Sequence, residues 1–210
     1  MLFRSVAWSL GHHHDLRSVP RVLGLLNDSD SNVQFAAASA LAEIGATNSV
    51  RALKQAQAGA PKQARIAIAS ALAFLGSDAG DLTLRRAVES ATDWECFLGI
   101  ISLLQLNSPA ARTWLATAEP QPEFRRVIDV GLKRGPGAAA ADLLVTANEP
   151  ESDWLYGDRR YFALRALGML HDPATLGVIE TFVSDPNLDL RSAARVAAWR
   201  LREPAAATGR

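Results

Sequence analysis

A two-residue landmark returns along this chain at nearly constant intervals, and it constrains the fold more than any other feature. Successive copies lie between 28 and 36 residues apart, which is the period of stacked supersecondary units. A unit this short cannot bury its own apolar face, so neighbouring units must complete the core. The seven copies are Leu10-Gly11, Ile44-Gly45, Leu75-Gly76, Leu106-Asn107, Arg134-Gly135, Leu170-His171 and Leu201-Arg202.

The segments before each landmark repeat with the periodicity of an α-helix. Apolar residues recur at positions i, i+1, i+4, i+5 and i+8, as in Ala36-Ala37, Ala40-Leu41 and Ile44. Many of them are Ala or Gly, so these inner helices are expected to pack closely on one another. A turn and a second amphipathic run follow each of the first six landmarks, at about Leu16–Leu26, Ser49–Ala58, Asp81–Ser90, Ala110–Ala118, Ala138–Ala147 and Ala174–Val183.

Helix-start signals support this alternation of helices and turns. Asp15, Ser108-Pro109 and Asp172-Pro173 each place a capping side chain or a proline at a predicted helix entrance. The predicted fold class is therefore all-α: a right-handed α-solenoid of about six helical hairpins.

Two segments, LLNDSDSNVQFAAASALAEIG and LHDPATLGVIETFVSDPNLDLRSAARVAAWRL, resemble HEAT repeats. They are most similar to the short, bacterial-type repeats first associated with phycobilin lyases, in which an Asp-rich turn precedes the inner helix. The resemblance is strong over 19–76 and 160–202. It implies one HEAT-like domain over 1–202, with an irregular middle at 92–147, an insertion loop at 148–158 and a disordered tail at 203–210.

One column of the repeats is rich in arginine. The resemblance implies that this arginine binds the Asp-containing turn of an adjacent unit and stabilises the stack, which favours a structural role over a ladder of ligands. The column reads Gln34, Arg65, Cys96, Arg125, Arg160 and Arg191, so Gln34 and Cys96 interrupt any continuous cationic strip.

Composition argues against several function classes. Lys and Arg together number 22, as do Asp and Glu, so nothing attracts the whole chain to nucleic acid or to an anionic membrane. Cys96 is the only cysteine, which favours a reducing compartment. The apolar runs are too short to span a membrane, and the first residues lack the order of a secretion signal. We therefore predict a cytoplasmic protein without a cofactor.

The inner curve of the solenoid is the predicted binding surface. Two inner-helix columns place an apolar centre at Ile100 and Leu104 beside a charged ridge with Arg126, Asp129 and Lys133. Such a surface suits an amphipathic helix or an extended peptide of a protein partner. The alternative is that these helices are buried more deeply and present no groove.

The insertion at 148–158 carries four acidic residues together with Trp154 and Tyr156. Loops on a rigid scaffold often hold binding residues, so the two aromatic side chains are candidates for partner contact. The alternative is that they cover the neighbouring core.

Two features lie near the amino terminus. Met1–Leu10 is predicted to be an inner helix with no helix covering it, which indicates either a fragment of a longer array or a homo- or hetero-dimer contact. The run His12-His13-His14-Asp15 is interpreted as a solvated turn, because consecutive residues rarely converge on one metal ion.

Catalytic interpretations are weaker. No phosphate-binding loop, nucleophile elbow or paired-cysteine motif appears, and Cys96 lies in an apolar helix without a neighbouring His. HEAT-like iron hydroxylases depend on His-Glu pairs that this chain lacks. HEAT-like alkylpurine DNA glycosylases use residue types that are also present here, at Trp94, Arg126, Asp129, Arg165 and Trp199.

The sequence thus favours a non-catalytic scaffold that binds a protein or peptide. A phycobilin lyase-like chaperone is the first alternative, because the repeat type and the length suit it. A DNA glycosylase is the second, although the neutral charge argues against duplex binding.

Overall fold

The computed structural model describes residues 16–90, 92–147 and 159–202 of the 210-residue chain. This part holds twelve α-helices and four 3-10 turns and no strand. The helices are α1 Val19–Leu25, α2 Ser31–Ile44, α3 Val50–Gly59, α4 Lys62–Phe74, α5 Asp81–Val88, α6 Asp93–Leu106, α7 Pro109–Thr117, α8 Pro122–Arg134, α9 Pro136–Thr146, α10 Arg159–Leu170, α11 Leu176–Glu180 and α12 Leu188–Arg202. The 3-10 turns are Leu16–Ser18, Thr47–Ser49, Asp78–Gly80 and Pro173–Thr175.

The landmark marks the carboxyl ends of the inner helices. Its second residue has a left-handed backbone at five sites, with φ of 71° at Gly45, 79° at Gly76, 51° at Asn107, 93° at Gly135 and 50° at His171. This conformation turns the chain out of the helix and lets its last carbonyls find donors. Glycine and asparagine adopt it with the least strain, which explains why they dominate the landmark.

The helix starts confirm two of the predicted capping signals. The Ser108 side chain accepts a hydrogen bond from the Ala111 backbone N–H, with Pro109 opening α7. The Asp172 side chain accepts one from the Ala174 N–H and starts the 3-10 turn before α11. Asp15 lies outside the described residues.

The arginine column has a structural role. At four of its positions the side chain donates to a backbone carbonyl in the turn just before its own helix, and two of these turns contain Asp, as the resemblance implies. Arg65 donates to the Ala60 oxygen and Arg191 to the Asp185 oxygen. Gln34 donates to the Asp28 oxygen in the same way, so glutamine replaces arginine without loss of the contact.

The hairpins stack in sequence, which confirms the all-α solenoid. Helices α2, α4 and α6 pack side by side as an inner layer, and α10 packs on α12 at the far end. The fourth hairpin departs from the pattern: α10 packs on α9 and α6 instead of α8. Only Gly135 separates α8 from α9, and α9 packs on both α8 and α10 and so lies between them.

Two hydrophobic cores result from this arrangement. The N-terminal core runs from Val19 to Leu72, and the C-terminal core runs from Ala69 to Ala198. Helix α4 contributes side chains to both, since Ala67 and Ile68 belong to the first and Ala69 and Ala73 to the second. The two cores therefore share one helix as their common wall.

Replacing Gly45 with alanine tests the left-handed helix end. We expect Gly45→Ala to lower the free energy of unfolding by about 1–2 kcal/mol, because a Cβ disfavours this backbone conformation. Gly24→Ala is the matched control, since Gly24 is an exposed residue of α1 and a Cβ added there would meet only open space. It should raise stability by about 0.5 kcal/mol. Urea unfolding measures both, and equal effects would contradict the assignment.

The turn contact of the arginine column is testable at Arg65. We expect Arg65→Met to lower the free energy of unfolding by about 1 kcal/mol, because the Ala60 carbonyl loses its charged donor. Arg51 is also exposed and has no hydrogen bond or ion pair with the described residues, so Arg51→Met should change stability by less than about 0.5 kcal/mol. Thermal unfolding of the two variants measures both changes, and an equal loss of stability in Arg51→Met would contradict the role of the turn contact.

Candidate functional site in the inner cavity

The inner helices enclose a small apolar cavity. Its free volume is about 50 Å³, several times the roughly 10–15 Å³ that one water molecule needs. Several lining side chains are only half-buried, so the cavity opens to solvent. The lining residues come from α2 (Phe35, Ser39, Ala42), α4 (Ala67, Ser70, Ala71, Phe74), α6 (Trp94, Phe97, Leu98, Ile101) and α10 (Phe162, Arg165, Ala166, Met169).

Aromatic rings dominate the walls. Phe35 on α2 and Trp94 on α6 meet edge to face, with ring centroids 6.0 Å apart, and both are half-buried. Phe97 lies deeper, while Phe162 is half-buried on the α10 side. An apolar space bounded by rings and left partly open is the usual form of a binding pocket.

Few polar groups reach the cavity, and most of them have partners. The Ser102 hydroxyl donates to the Leu98 carbonyl at 2.6 Å and accepts from the Ser70 hydroxyl at 2.8 Å. The Arg165 guanidinium pairs with the Glu43 carboxylate. Ser39 is half-buried and has no hydrogen-bond partner among the described residues, so its hydroxyl is available to an occupant.

A buried ion group lies beside the cavity, and we call it the clamp: Glu43, Arg165 and Arg200. The Glu43 side chain is 1% exposed; its Oε2 is 2.7 Å from Arg200 Nη2, and its Oε1 is 3.2 Å from Arg165 Nη2. The Arg200 side chain is 3% exposed and that of Arg165 is 18% exposed. The clamp joins α2 to α10 and α12, so the first described inner helix meets the last.

The structure corrects the predicted groove. Ile100 is 0% exposed and Leu104 is 2% exposed, so both lie in the C-terminal core and present no surface to a partner. For the column of Ile100, the side chains that face the cavity lie one position further along each helix, at Ser39, Ser70, Ile101 and Arg165. One residue rotates a side chain by about 100° around a helix, so the predicted side chains of this column point into the neighbouring helices. In the column of Leu104, Ala42 does line the cavity.

The charged residues of the predicted ridge are exposed on α8. Arg126 pairs with Asp142 of α9 at 2.9 Å, Asp129 pairs with Arg125 at 2.7 Å, and Lys133 is exposed near the end of the helix. They share a helix face but are separate from the cavity, whose described lining comes from α2, α4, α6 and α10. Their role in partner binding stays a prediction.

Trp154 and Tyr156 lie outside the described residues, as do Met1–Leu10, the histidine run and the tail at 203–210. The structure does not bring together the residue types of a glycosylase. Trp94 and Arg165 line the cavity, whereas Arg126 and Asp129 are on α8, and Trp199 is 43% exposed on α12.

Sequence reasoning missed the cavity and the clamp. The signal for the aromatic walls was present in Phe35, Phe97 and Phe162, three large rings in otherwise Ala-rich stripes. The signal for the clamp was a lone carboxylate, Glu43, directly before a landmark. Both become meaningful only when α10 is known to face α2.

Cys96 is fully buried on α6, as predicted. Burial and, to a lesser extent, the negative charges of Asp93 and Glu123 raise the pKa of its thiol to about 12, with Arg159 opposing them. The thiol is therefore protonated at neutral pH, which agrees with an inert role.

The described residues hold neither a candidate metal centre nor a membrane span. They contain no group of three or more His, Cys, Asp or Glu side chains placed to hold a metal ion. Within the same ranges, no helix combines the length and the apolar character needed to cross a membrane.

Comparison with known proteins confirms the predicted resemblance. Residues 4–73 match the family model of HEAT repeats. Human deoxyhypusine hydroxylase in complex with glycerol is a similar solved structure, with 20% identity, a TM-score of 0.38, and coverage of 97% of this chain and 80% of that one. No curated protein matches the chain.

A second similar structure is the complex of CpcE and CpcF of phycocyanin lyase from Nostoc sp. PCC7120. The identity is 20%, the TM-score is 0.39, and the match covers 89% of this chain. It spans 65% of the length of that chain.

The buried thiol predicts a specific reactivity. We expect Cys96 to resist a disulfide reagent such as 5,5′-dithiobis(2-nitrobenzoate) at pH 8 in the folded protein and to react fully in urea. Between pH 9 and pH 12 the unfolded chain loses the thiol proton first, so stability falls as the pH rises through this range. Cys96→Ala should not show the loss of stability that the thiol causes between pH 9 and pH 12. Rapid labelling of Cys96 in the folded protein would contradict the buried, protonated thiol.

Proposed function

We propose that this HEAT-repeat chain is a non-catalytic binding module that takes an apolar side chain of a protein partner into its inner cavity. The observation that carries the proposal is the cavity itself: a half-open apolar space with aromatic walls, at the junction of two cores. Pockets of ligands and partner side chains concentrate at such junctions.

The size of the cavity decides what enters it. A free volume of about 50 Å³ is well below the roughly 150 Å³ of a cavity that binds benzene, so it admits the tip of one apolar side chain and is far too small for a helix. The inner curve is closed to larger groups because α10 packs on α6 and the clamp joins α10 to α2. The partner therefore contributes a single anchor, and its flanking backbone stays outside.

Partly exposed aromatic side chains favour such an anchor. Phe35, Trp94 and Phe162 present apolar area to water around the opening, and an occupant removes that area from water. Burying one apolar side chain contributes about 1.5–3 kcal/mol. This corresponds to roughly tenfold or more in affinity, which is typical of a central anchor in an interface.

The chemistry of the lining favours binding over catalysis. Ser70 is engaged by Ser102, and Arg165 is paired with Glu43. Among the described lining residues, no nucleophile lies beside a base in the arrangement that covalent catalysis needs. The Ser39 hydroxyl supplies one hydrogen bond to orient an occupant.

Filling the mouth of the cavity tests the proposal. Random peptides displayed on phage are selected on the wild-type chain, and each is then measured on Ala42→Phe, in which the half-buried Ala42 gains a ring at the cavity wall. We expect the selected peptides to share one large apolar residue and to lose at least tenfold in affinity for the variant.

Ala110→Phe is the matched control, because Ala110 is exposed on α7 and α7 does not line the cavity. It should bind the same peptides as tightly as the wild type. Peptides that bind Ala42→Phe undiminished, or that share no apolar anchor, would overturn the proposal.

A further inference from the structure

The cavity lies between the two cores. Its α2 wall, with Phe35, Ser39 and Ala42, belongs to the N-terminal half, and its α6 and α10 walls belong to the C-terminal half. Helix α4 lines the cavity and also supplies side chains to both cores. The shared helix is thus a continuous connection along one side of the cavity.

The two sides of the cavity are joined in different ways. On the α4 side, α4 packs closely on α6, and Lys62 of α4 pairs with Glu95 of α6 at 2.8 Å. On the opposite side, α2 packs closely on α1 and α4 among the described helices, and it reaches α10 and α12 through side chains. The clamp is the ionic part of that second junction.

We infer that the two cores open and close about α4 and α6, and that the clamp is the latch that holds the cavity closed. The inference concerns how access to the cavity is regulated, and its role in binding rests on the proposed function. Opening separates Glu43 from Arg165 and Arg200 while the packed α4–α6 junction stays intact.

The composition of the latch suits this role. A carboxylate that is 1% exposed is strongly disfavoured unless its oxygens are bound, so Glu43 favours the one arrangement in which both guanidinium groups reach it. Arg165 belongs to the latch and to the cavity lining at once. An occupant that displaces the Arg165 side chain therefore weakens the latch directly, and occupancy is coupled to opening.

A thiol placed in the cavity wall measures the opening. In a Cys96→Ala background, Ala71→Cys introduces a reporter at a residue that is 1% exposed and lines the cavity. Labelling with 5,5′-dithiobis(2-nitrobenzoate) under native conditions proceeds from the open state, so its rate reports the open population. We expect Glu43→Gln to accelerate labelling at this position at least tenfold.

Two controls separate opening from unfolding. Ala111→Cys, fully buried in the C-terminal core and absent from the cavity lining, reports global unfolding. Glu43→Gln destabilises the closed state relative to both the open and the unfolded states, so the urea dependence of labelling separates the two: the rate at position 71 should be nearly independent of urea at low concentration, and the rate at position 111 should rise steeply with urea. Glu180→Gln removes an exposed ion pair with Arg202 and should leave both rates unchanged.

Where Glu43→Gln fails to fold, Arg165→Lys is the second variant, because it retains the charge and changes the donor geometry. We expect it to give a smaller acceleration at position 71, again with little dependence on urea. Labelling at position 71 that depends on urea as steeply as labelling at position 111, or no acceleration at position 71 in a folded variant, overturns the inference. Because the labelling uses no peptide, its failure leaves the proposed binding function standing, and loss of peptide binding leaves the latch standing.

Discussion

The close approach of the inner helices is the constraint on which the rest of the structure depends. Small side chains make it possible: Ala38 and Ala69 are fully buried, and a methyl group on Gly168 would lie 3.1 Å from the Ala197 Cα. Helices lined by such residues pack at the short end of the usual interaxial range. The stack is therefore compact enough for α2 to meet α10 and α12, and the inner curve becomes a cavity instead of an open groove.

That compactness brings a charge into the interior. Replacing a buried ion group with apolar residues is often neutral for stability, so Glu43 is not explained by stability alone. Its physical effect is selective: arrangements that separate α2 from α12 leave the carboxylate without Arg200, and these are disfavoured. An apolar contact at the same place would tolerate sliding, whereas two guanidinium groups on one carboxylate define a single position.

The sequence predicted local structure well because local structure depends on neighbours in the chain. The landmark marked the helix ends, since a left-handed residue such as Gly45 or Asn107 is required there. The orientation of each helix depends on contacts between hairpins, which the periodicity of one helix does not contain. The pattern therefore places Ile100 on the binding surface, although Ile100 is buried in the core and its neighbour Ile101 is the residue that reaches the cavity.

The position directly before the landmark shows what a repeated sequence reveals about distant contacts. Phe74 and Met169 occupy it and line the cavity, while Glu43 and Arg200 occupy it and form the clamp. Lys133 holds the same position but is exposed, on the helix that α9 separates from α10. Repeats that stack only on their neighbours give no reason for a buried acid in one copy and a buried base in another. Contact between the first and the last described inner helices, as between α2 and α12 here, does give such a reason, so complementary exceptions to the repeat indicate a contact between distant copies.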